Sequence, residues 1–315
     1  MAIYTHITAE SLTQYLAQFD IGRLVSFTGI TEGIENTNYK LVTTKGPFIL
    51  TLFEKRVKPE DLPFFVALME HLHRKGIPCP DVVCDNTGEK IVRFEGKPAI
   101  ITTFLEGAWP RQIEDFHVEA VGKILAEMHL AGGDFGRRRS NALALPAWRM
   151  LIDLCVETAD DVSPGIFVLL QEELAYLEKN WSQKFPIGPI HGDLFPDNVF
   201  FSGRDLGGVI DFYFSCTDIL AYDLMLTLNA WCLGKEGVPD HKKSTAFLSA
   251  YESVRPLSAD ESAALPFFGR AAALRILATR LYDWLHPVEG AVVQPKDPLE
   301  YLKILQFYRD GGMSA

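Results

Sequence analysis

The sequence predicts an α+β fold in which strands and helices are segregated into two lobes, and three observations support this. The chain has 315 residues, which is too long for one small hydrophobic core and short for three domains. β-like runs separated by turn residues dominate the first hundred residues, whereas apolar patterns at helical spacing dominate the remainder. One β-interlude, residues 190–211, interrupts the helical part. Strands followed by helices are typical of an α+β arrangement.

The composition excludes several classes of protein. Hydrophobic residues make up 48% and charged residues 23% of the chain, so a disordered chain, a collagen-like fibre and a coiled coil are excluded. The 30 basic and 41 acidic side chains give a net charge of −11, and such a chain repels polyanions. We therefore expect no nucleic-acid partner and no anionic membrane partner, and no apolar stretch reaches the roughly 18 residues of a membrane span.

Localisation follows from the N-terminus and the cysteines. The first residues lack the basic and apolar regions of a secretion signal, and the five cysteines are odd in number and scattered. We expect reduced thiols and a cytoplasmic protein. The oligomeric state cannot be predicted from these features.

The first lobe, residues 1–103, is predicted to be a small sheet with two helices. Residues 62–74 are apolar at helical spacing, and Gly76 and Pro78 stop that helix. A shorter amphipathic helix is predicted for residues 8–19. About five strands are expected, from the runs at 24–27, 39–44, 48–53, 82–84, 90–92 and 99–104.

The second lobe, residues 104–315, is predicted to be mainly helical. Its start is placed at the turn-rich segment 106–110, after which the apolar pattern changes to helical spacing. Helices are predicted around residues 118–128, 151–156, 166–181, 222–233, 244–251 and 266–285.

The segment 190–201 carries the most informative motif. In the kinase catalytic loop, one residue separates His from Asp, and four residues separate that Asp from an Asn. The segment has the same spacing, with His191, Asp193 and Asn198 at these positions. In that loop the Asp accepts the proton of the attacking hydroxyl. His191 is more simply explained as a brace of the loop than as a proton-transfer group. The alternative is that all three residues only stabilise a turn.

A predicted hairpin places a second carboxylate near this motif. The runs 199–201 and 208–210 flank a Ser-Gly turn and can pair antiparallel. In the simplest register Asn198 and Asp211 lie opposite each other, with Cα atoms roughly 5 Å apart. A carboxamide oxygen and a carboxylate suit Mg²⁺, especially when phosphate oxygens complete the coordination. The motif and the hairpin together indicate phosphoryl transfer.

The motif and several longer sequence segments resemble those of a known superfamily. The His-Gly-Asp motif and the Ile-Asp-Phe that follows it resemble the aminoglycoside phosphotransferase and choline kinase branch of the protein-kinase-like fold. Phrases at 33–39, 47–56, 193–201, 210–214, 229–232, 279–285 and 295–301 are similar to the bacterial homoserine kinases of that branch, over nearly the whole chain. The resemblance implies a protein-kinase-like two-lobed fold with a small antiparallel-sheet N-lobe. It also implies ATP and Mg²⁺ as cofactors and phosphorylation of the homoserine hydroxyl, a step in threonine biosynthesis.

The same resemblance implies roles for individual residues. Asp193 would be the base, Asn198 and Asp211 would bind Mg²⁺, and Asp223 would support the catalytic loop. Residues 102–106 would form the hinge that contacts adenine, with Thr103, Phe104 and Leu105 at its centre.

The nucleotide-phosphate site departs from the superfamily pattern. There is no Gly-rich loop of the usual form, although Gly33 and Asn36 lie in the corresponding region and can offer donors to phosphate. Thr51 stands where the superfamily usually has a basic residue on the third strand. Lys55 either reaches the phosphates or is a solvated strand end, and Glu70 is either its partner or a surface charge.

The acceptor site is predicted from buried charges. The helix 266–285 is apolar on almost every face and should be buried, so its charged side chains must be paired or face a cavity. Arg275 and Arg280 compete as a fork for the acceptor carboxylate, and Asp283 can bind its ammonium group or pair with Arg280. Asn229, on another apolar helix, can line the same pocket.

Two other functions remain open at this level. A kinase of the same fold could act on an aminoglycoside, choline or a sugar, although cationic acceptors call for an acidic or aromatic site. A nucleotide-binding module without turnover is supported only by the missing third-strand basic residue.

Overall fold

The computed structural model describes residues 4–31, 36–54, 57–182, 184–287 and 295–313. The chain divides into two compact units. Unit 1 comprises Met1–Ala108 and Phe200–Tyr213, and unit 2 comprises Trp109–Val199 and Phe214–Ala315. Unit 1 therefore contains most of the hairpin in addition to the first hundred residues, while the lobe boundary between residues 103 and 104 stays a prediction.

Unit 1 is built on an antiparallel sheet, as predicted, with six strands among its described residues instead of about five. The strand order is β1-β2-β3-β6-β4, and β5 pairs with β6. The elements are α1 (Ala9–Leu16), β1 (Leu24–Ile30), β2 (Thr37–Thr43), β3 (Gly46–Leu52), α2 (Leu62–Arg74), β4 (Val82–Val83), β5 (Val92–Phe94) and β6 (Lys97–Thr103).

The two faces of this sheet carry different side chains. Leu41, Leu50 and Ile101 point to one face and form a core with Leu12 and Tyr15 of α1. Because side chains alternate along a strand, the intervening residues of β2 and β3 point to the other face. Those residues include Asn38, Lys40 and Thr51, so this second face is polar close to the end of β3.

Unit 2 is mainly helical, as predicted. Its helices and the remaining strands of the chain are α3 (Asp115–Ala131), α4 (Leu145–Leu154), α5 (Ala159–Val162), α6 (Ile166–Asn180), β7 (Ile187–Ile190), β8 (Val199–Ser202), β9 (Asp205–Val209), β10 (Cys216–Ile219), α7 (Leu220–Trp231), α8 (His241–Glu252), α9 (Ala259–Leu285) and α10 (Leu299–Arg309). Every residue of α7 is buried, and α9 contributes the largest share of the surrounding core.

The structure differs from the prediction in several elements of unit 2. Helix α9 begins at Ala259 and not at residue 266, because Ser258 and Glu261 form a capping box that starts the helix and Pro266 is accommodated inside it. Helices α5 and α10 and strand β10 were not predicted, and α4 begins at Leu145 and not at residue 151. Among the described residues, no helix combines the length and the apolar character that a membrane span requires.

The β8–β9 hairpin lies against the segment that follows β6. Ala108 and Phe201 form a β-bridge, and the backbone N–H of Val209 donates to the carbonyl of Pro78 at 2.8 Å. Gly107 has a φ of +115°, and a Cβ atom there would lie 2.6 Å from the carbonyl oxygen of Phe201. Only glycine fits this contact, so the hairpin and the predicted hinge are held closely together within unit 1.

Candidate active site

The loop of the predicted catalytic motif is anchored on the two-stranded sheet of unit 2. Strand β7 ends at Ile190, which pairs with Cys216 of β10, and the loop begins at the next residue. The hydroxyl of Ser215 donates to the carbonyl of His191 at 3.3 Å. A 3-10 turn at Pro196–Asn198 closes the loop, because proline favours the first position of such a turn.

Asp223 of α7 holds the start of this loop. Its Oδ2 accepts the backbone N–H of His191 at 3.0 Å, and its Oδ1 accepts that of Gly192 at 2.9 Å. Gly192 has a φ of +75°, and an added Cβ atom would lie 3.1 Å from the carbonyl oxygen of Phe214. Both carboxylate oxygens are thus used to fix two consecutive peptide groups next to Asp193.

A buried hydrogen-bonded chain supports Asp223 in turn. His129 of α3 places Nε2 3.1 Å from Asp223 Oδ2 and Nδ1 2.7 Å from the hydroxyl of Tyr251. Arg255 donates to the Tyr251 hydroxyl at 3.1 Å and pairs with Glu261 at 2.7 Å. Helices α3, α7, α8 and α9 are therefore connected to the loop through polar groups.

The pKa of Asp223 follows from this environment. Burial by itself raises the pKa of a carboxyl group, but the hydrogen bond and charge of His129 and the Gly192 N–H act more strongly in the opposite direction. The pKa of Asp223 is lowered as a result, and the carboxylate is kept ionised.

Asp193 and Asn198, the proposed base and metal ligand, are in contact. The Nδ2 atom of Asn198 donates to the backbone carbonyl of Asp193 at 2.8 Å and lies 3.3 Å from its Oδ2. The backbone N–H of Asp193 donates to His191 Nδ1 at 3.2 Å, so the His191 ring braces the loop. Because the amide nitrogen of Asn198 is directed at Asp193, its carbonyl oxygen points the other way and suits a cation.

Arg275 of α9 brings a buried cationic side chain close to Asp193. Its Nη1 lies 3.8 Å from Asp193 Oδ1, and only 5% of its side-chain surface is exposed. Nη1 has no hydrogen-bond partner among the residues that the structure describes. The guanidinium lies over the ring of Phe214 at 5.7 Å.

The other predicted acceptor residues have different surroundings. Arg280 donates to Glu300 at 2.7 Å and to the carbonyl of Asp297 at 3.1 Å. Asp283 lies near the C-terminal end of the same helix, on its partly exposed side. Asn229 is fully buried, donates to the carbonyl of Gly269 at 3.2 Å and accepts from the Tyr308 hydroxyl at 2.7 Å. Its amide is used to join α7, α9 and α10.

Asp211, the second proposed metal ligand, lies in unit 1 just beyond β9. Its φ of +63° is in the left-handed region, which non-glycine residues seldom occupy. Backbone strain of this kind is concentrated at functional sites. The strain therefore marks Asp211 as a position where side-chain direction matters.

Tyr213 fixes the segment after Asp211 to the sheet. Its hydroxyl is hydrogen-bonded to Thr51, and its ring packs edge-on against Phe53 and Phe65 at centroid distances of 5.0 and 5.9 Å. Thr51 donates to Asn38 Oδ1 at 2.7 Å. Burial, and then the charge of Asp211, raise the pKa of Tyr213. Neutral groups thus occupy the third-strand position where the superfamily has a basic residue.

The predicted phosphate-binding residues are only partly described. Gly33 and Lys55 lie outside the described residues. Asn36 is buried at the start of β2, where its Oδ1 accepts a long 3.4 Å bond from the Glu54 backbone. Glu70 forms an ion pair with Lys90, which gives it a structural partner.

The predicted hinge follows β6. Thr103 is the last residue of that strand and is bonded to Asp81 through its backbone N–H at 2.9 Å. Phe104 and Leu105 follow directly after the end of this strand. Lys40 lies 4.1 Å from the centroid of the Phe104 ring, and Leu105 packs on Gly208 of the hairpin.

The residue types of the two predicted metal ligands suit magnesium. No group of three His, Cys, Asp or Glu side chains suited to a metal ion exists in the described parts of the chain. Mg²⁺ is commonly held by one or two carboxylates together with phosphate oxygens and water. Asn198 offers a carboxamide oxygen and Asp211 a carboxylate, which are ligand types that Mg²⁺ accepts, and their joint role in a metal site stays a prediction.

Two features of the site could not be read from the sequence. His129 and Tyr251 belong to helices far apart in the chain, so no local spacing reveals their link to Asp223. Thr51 and Tyr213 are similarly distant. The sequence offered one indication of these contacts. A polar side chain within an apolar helix, such as Asp223 in α7, is expected to be buried and therefore to need a hydrogen-bond partner.

Comparisons with known proteins agree with this geometry. The model of the phosphotransferase enzyme family matches residues 26–257. The chain is 53% identical over 309 residues to the homoserine kinase of Brucella anthropi, covering 98% of this chain and 95% of that protein. It is 52% identical to the homoserine kinase of Xanthobacter autotrophicus, with 98% and 96% covered.

Solved structures show the same fold at low sequence identity. A spectinomycin phosphotransferase in complex with ADP and spectinomycin matches with a TM-score of 0.68 at 14% identity, covering 96% of this chain and 94% of that one. An amicoumacin kinase in complex with AMP-PNP, Ca²⁺ and Ami matches with a TM-score of 0.70 at 14% identity and the same coverage. These matches confirm the predicted protein-kinase-like fold. The chain therefore belongs to the phosphotransferase enzyme family, in which it groups with the homoserine kinases.

Proposed function

We propose that this chain transfers the terminal phosphoryl group of ATP to the side-chain hydroxyl of L-homoserine. The observation that carries the proposal is the loop in which Asp193 contacts Asn198 while Asp223 fixes the two peptide groups before Asp193. The choice of acceptor is supported by the sequence, which is 53% identical to a homoserine kinase over 98% of this chain. In threonine biosynthesis this reaction would produce O-phospho-L-homoserine.

The reaction requires one bond to form and one to break. The acceptor hydroxyl oxygen forms a bond to the γ-phosphorus while the bond from that phosphorus to the ADP oxygen breaks. Asp193 accepts the proton of the hydroxyl, and ADP leaves with its new negative charge. Since phosphoryl transfer needs little covalent assistance, positioning of Asp193 is the main contribution of the loop.

Asn198 and Asp211 would hold Mg²⁺. In the sequence, Asn198 directly precedes strand β8 and Asp211 follows shortly after strand β9. When bound, the ion would neutralise charge on the nucleotide phosphates. The carbonyl oxygen of Asn198 is the atom suited to the ion, because its amide nitrogen is used by Asp193. The left-handed backbone of Asp211, with a φ of +63°, would help to direct its carboxylate.

The nucleotide would be held by unit 1. The backbone groups of Thr103, Phe104 and Leu105 would contact adenine beyond the end of β6. Asn36, together with Gly33 and Lys55, would contact the phosphates. The neutral Thr51 means that no lysine from the third strand takes part, so Lys55 would supply the positive charge.

An acceptor panel tests the proposal. ADP release by the purified chain with Mg²⁺ and ATP is measured for L-homoserine, choline and kanamycin, and the product is identified by phosphorus NMR. We expect turnover with homoserine and a new phosphomonoester signal. Faster turnover with choline or kanamycin would assign another acceptor, and ATP binding without ADP release for any acceptor would indicate a binding module.

A further inference from the structure

We propose that Arg275 binds the carboxylate of the amino-acid acceptor and thereby selects homoserine over amino alcohols. This inference rests on the proposed function and deepens it by assigning the specificity-determining residue. The ligand class is a small α-amino acid that carries a terminal hydroxyl.

The first observation is an unsatisfied donor. Arg275 is 4% exposed, and its Nη1 has no hydrogen-bond partner in the described part of the chain. A buried guanidinium is costly unless its N–H groups are paired. A ligand oxyanion would supply the missing acceptor, and the planar fork of arginine matches a carboxylate.

The second observation is the contrast with the other arginines of α9. Arg270 makes a two-point contact with Glu173, at 2.6 and 2.5 Å, and Arg280 is paired with Glu300. Both of these side chains have a protein carboxylate within hydrogen-bond distance. Among the described residues, the only carboxylate within 4 Å of Arg275 is that of Asp193, and its distance of 3.8 Å is beyond hydrogen-bond reach.

The third observation is position. Asp193 Oδ2 is directed at Asn198, while Oδ1 faces Arg275. Homoserine carries its hydroxyl and its carboxylate at opposite ends of a short chain. A hydroxyl beside Asp193 therefore leaves the carboxylate within reach of a neighbouring guanidinium.

The test compares two acceptors across the unchanged chain and its variants at position 275. The acceptors are L-homoserine and aminopropanol, the amino alcohol that remains when homoserine loses its carboxylate. The value of kcat/KM is measured for each acceptor with the unchanged chain, Arg275→Met and Arg275→Lys. If aminopropanol turnover is too slow to measure, the ratio of the two dissociation constants is measured by calorimetry with AMP-PNP present.

The inference predicts a change in preference. We expect the unchanged chain to prefer homoserine by roughly 100-fold or more, and Arg275→Met to lose most of this preference because homoserine alone becomes worse. Arg275→Lys should retain part of the preference, because lysine keeps the positive charge. If Arg275→Met does not fold, the comparison is made with Arg275→Lys alone. Arg270→Met, which removes another arginine of α9 that is partly buried and paired with Glu173, should keep the preference.

Two outcomes would overturn the inference. An equal loss for both acceptors would show that Arg275 acts on Asp193 or on the transferred phosphoryl group. An unchanged preference in Arg275→Met would show that the carboxylate is bound elsewhere. Failure of the proposed function is seen separately, as absence of homoserine phosphorylation by the unchanged chain.

Discussion

Asp223 shows how one buried residue fixes the geometry of a loop that it does not belong to. Both of its oxygens accept backbone N–H groups of the loop, and His129 adds a third bond. An asparagine of the same size keeps only one acceptor oxygen and turns an NH₂ group toward a donor. We expect Asp223→Asn to lower the free energy of unfolding by about 3 kcal/mol, because one partner of a buried network is lost.

The pH dependence of this effect has a definite sign. The folded pKa of Asp223 lies below its unfolded value, which is about 3.9, so its contribution to stability is complete above that pH. The contribution is lost as the pH falls through the lower folded value. Denaturant unfolding of Asp223→Asn at several pH values should therefore converge on the unchanged chain in acid.

Asp218→Asn is the matched control for this prediction. Asp218 also accepts from two donors, Asn141 and the Ile219 backbone, but burial raises its pKa. Its charged form therefore disfavours folding, and the pH trend of the difference should be reversed. The same trend in both variants would contradict the assignment of a lowered pKa to Asp223.

At the residue scale, the sequence predicts what is local. The spacing of His191, Asp193 and Asn198 is a chain-local pattern, and the structure brings these three residues into contact. The proximity of Arg275 to Asp193 depends on how α9 packs, and buried arginines at two positions of one helix cannot be distinguished without that packing.

Among the elements, the hairpin depends on close contact with the segment after β6. Gly107→Ala would place a methyl group 2.6 Å from the carbonyl oxygen of Phe201, at a φ of +115°. We expect a loss of about 2 kcal/mol in the free energy of unfolding and a higher KM for ATP, measured by denaturant titration and steady-state kinetics.

Gly203→Ala is the control for this variant. Gly203 also has a positive φ, of +62°, but a Cβ atom there meets no other atom within 4 Å. Its alanine variant should lose about 1 kcal/mol and keep its KM for ATP. Equal effects of the two substitutions would mean that the hairpin contact has no functional consequence.

Element boundaries were predictable where a helix carries its own start and stop signals. Helix α2 has the predicted bounds because Gly76 and Pro78 end it. The start of α9 was placed too late, at residue 266, because the Ser258–Glu261 capping box that begins the helix was not recognised. Strand β10 has only four residues, two of them polar, and gains its structure by pairing with β7.

For the whole molecule, the stabilisation that a nucleotide with Mg²⁺ gives should depend on Asp211. AMP-PNP with Mg²⁺ should raise the melting temperature of the unchanged chain, since a ligand that binds only the folded state stabilises it. In Asp211→Ala we expect this Mg²⁺-dependent increase to be lost, while melting in EDTA stays as in the unchanged chain. Asp205→Ala, an exposed aspartate on the same hairpin, should keep the increase. A full Mg²⁺-dependent increase in Asp211→Ala would remove Asp211 from the metal site.

The order of the strand-rich and helix-rich parts was predictable, because the hydrophobic pattern changes from one part of the sequence to the next. Strand-rich and helix-rich parts follow each other, and the phrases typical of homoserine kinases run through both. The predicted phosphate-binding residues could not be assigned by the same reasoning. Thr51 stands at the position of the expected basic residue, and its neutral contacts with Asn38 and Tyr213 depend on tertiary structure.

The most direct test of the account is the turnover of Asp193→Asn with homoserine and ATP. Without a carboxylate to accept the hydroxyl proton, kcat should fall by roughly 100-fold to 10,000-fold, while the dissociation constant of AMP-PNP is unchanged. Asp197→Asn, at an exposed aspartate of the same loop that pairs with Lys296 at 3.5 Å, should keep its kcat. A kcat of Asp193→Asn within a few-fold of the unchanged chain would contradict the role of Asp193 as the base.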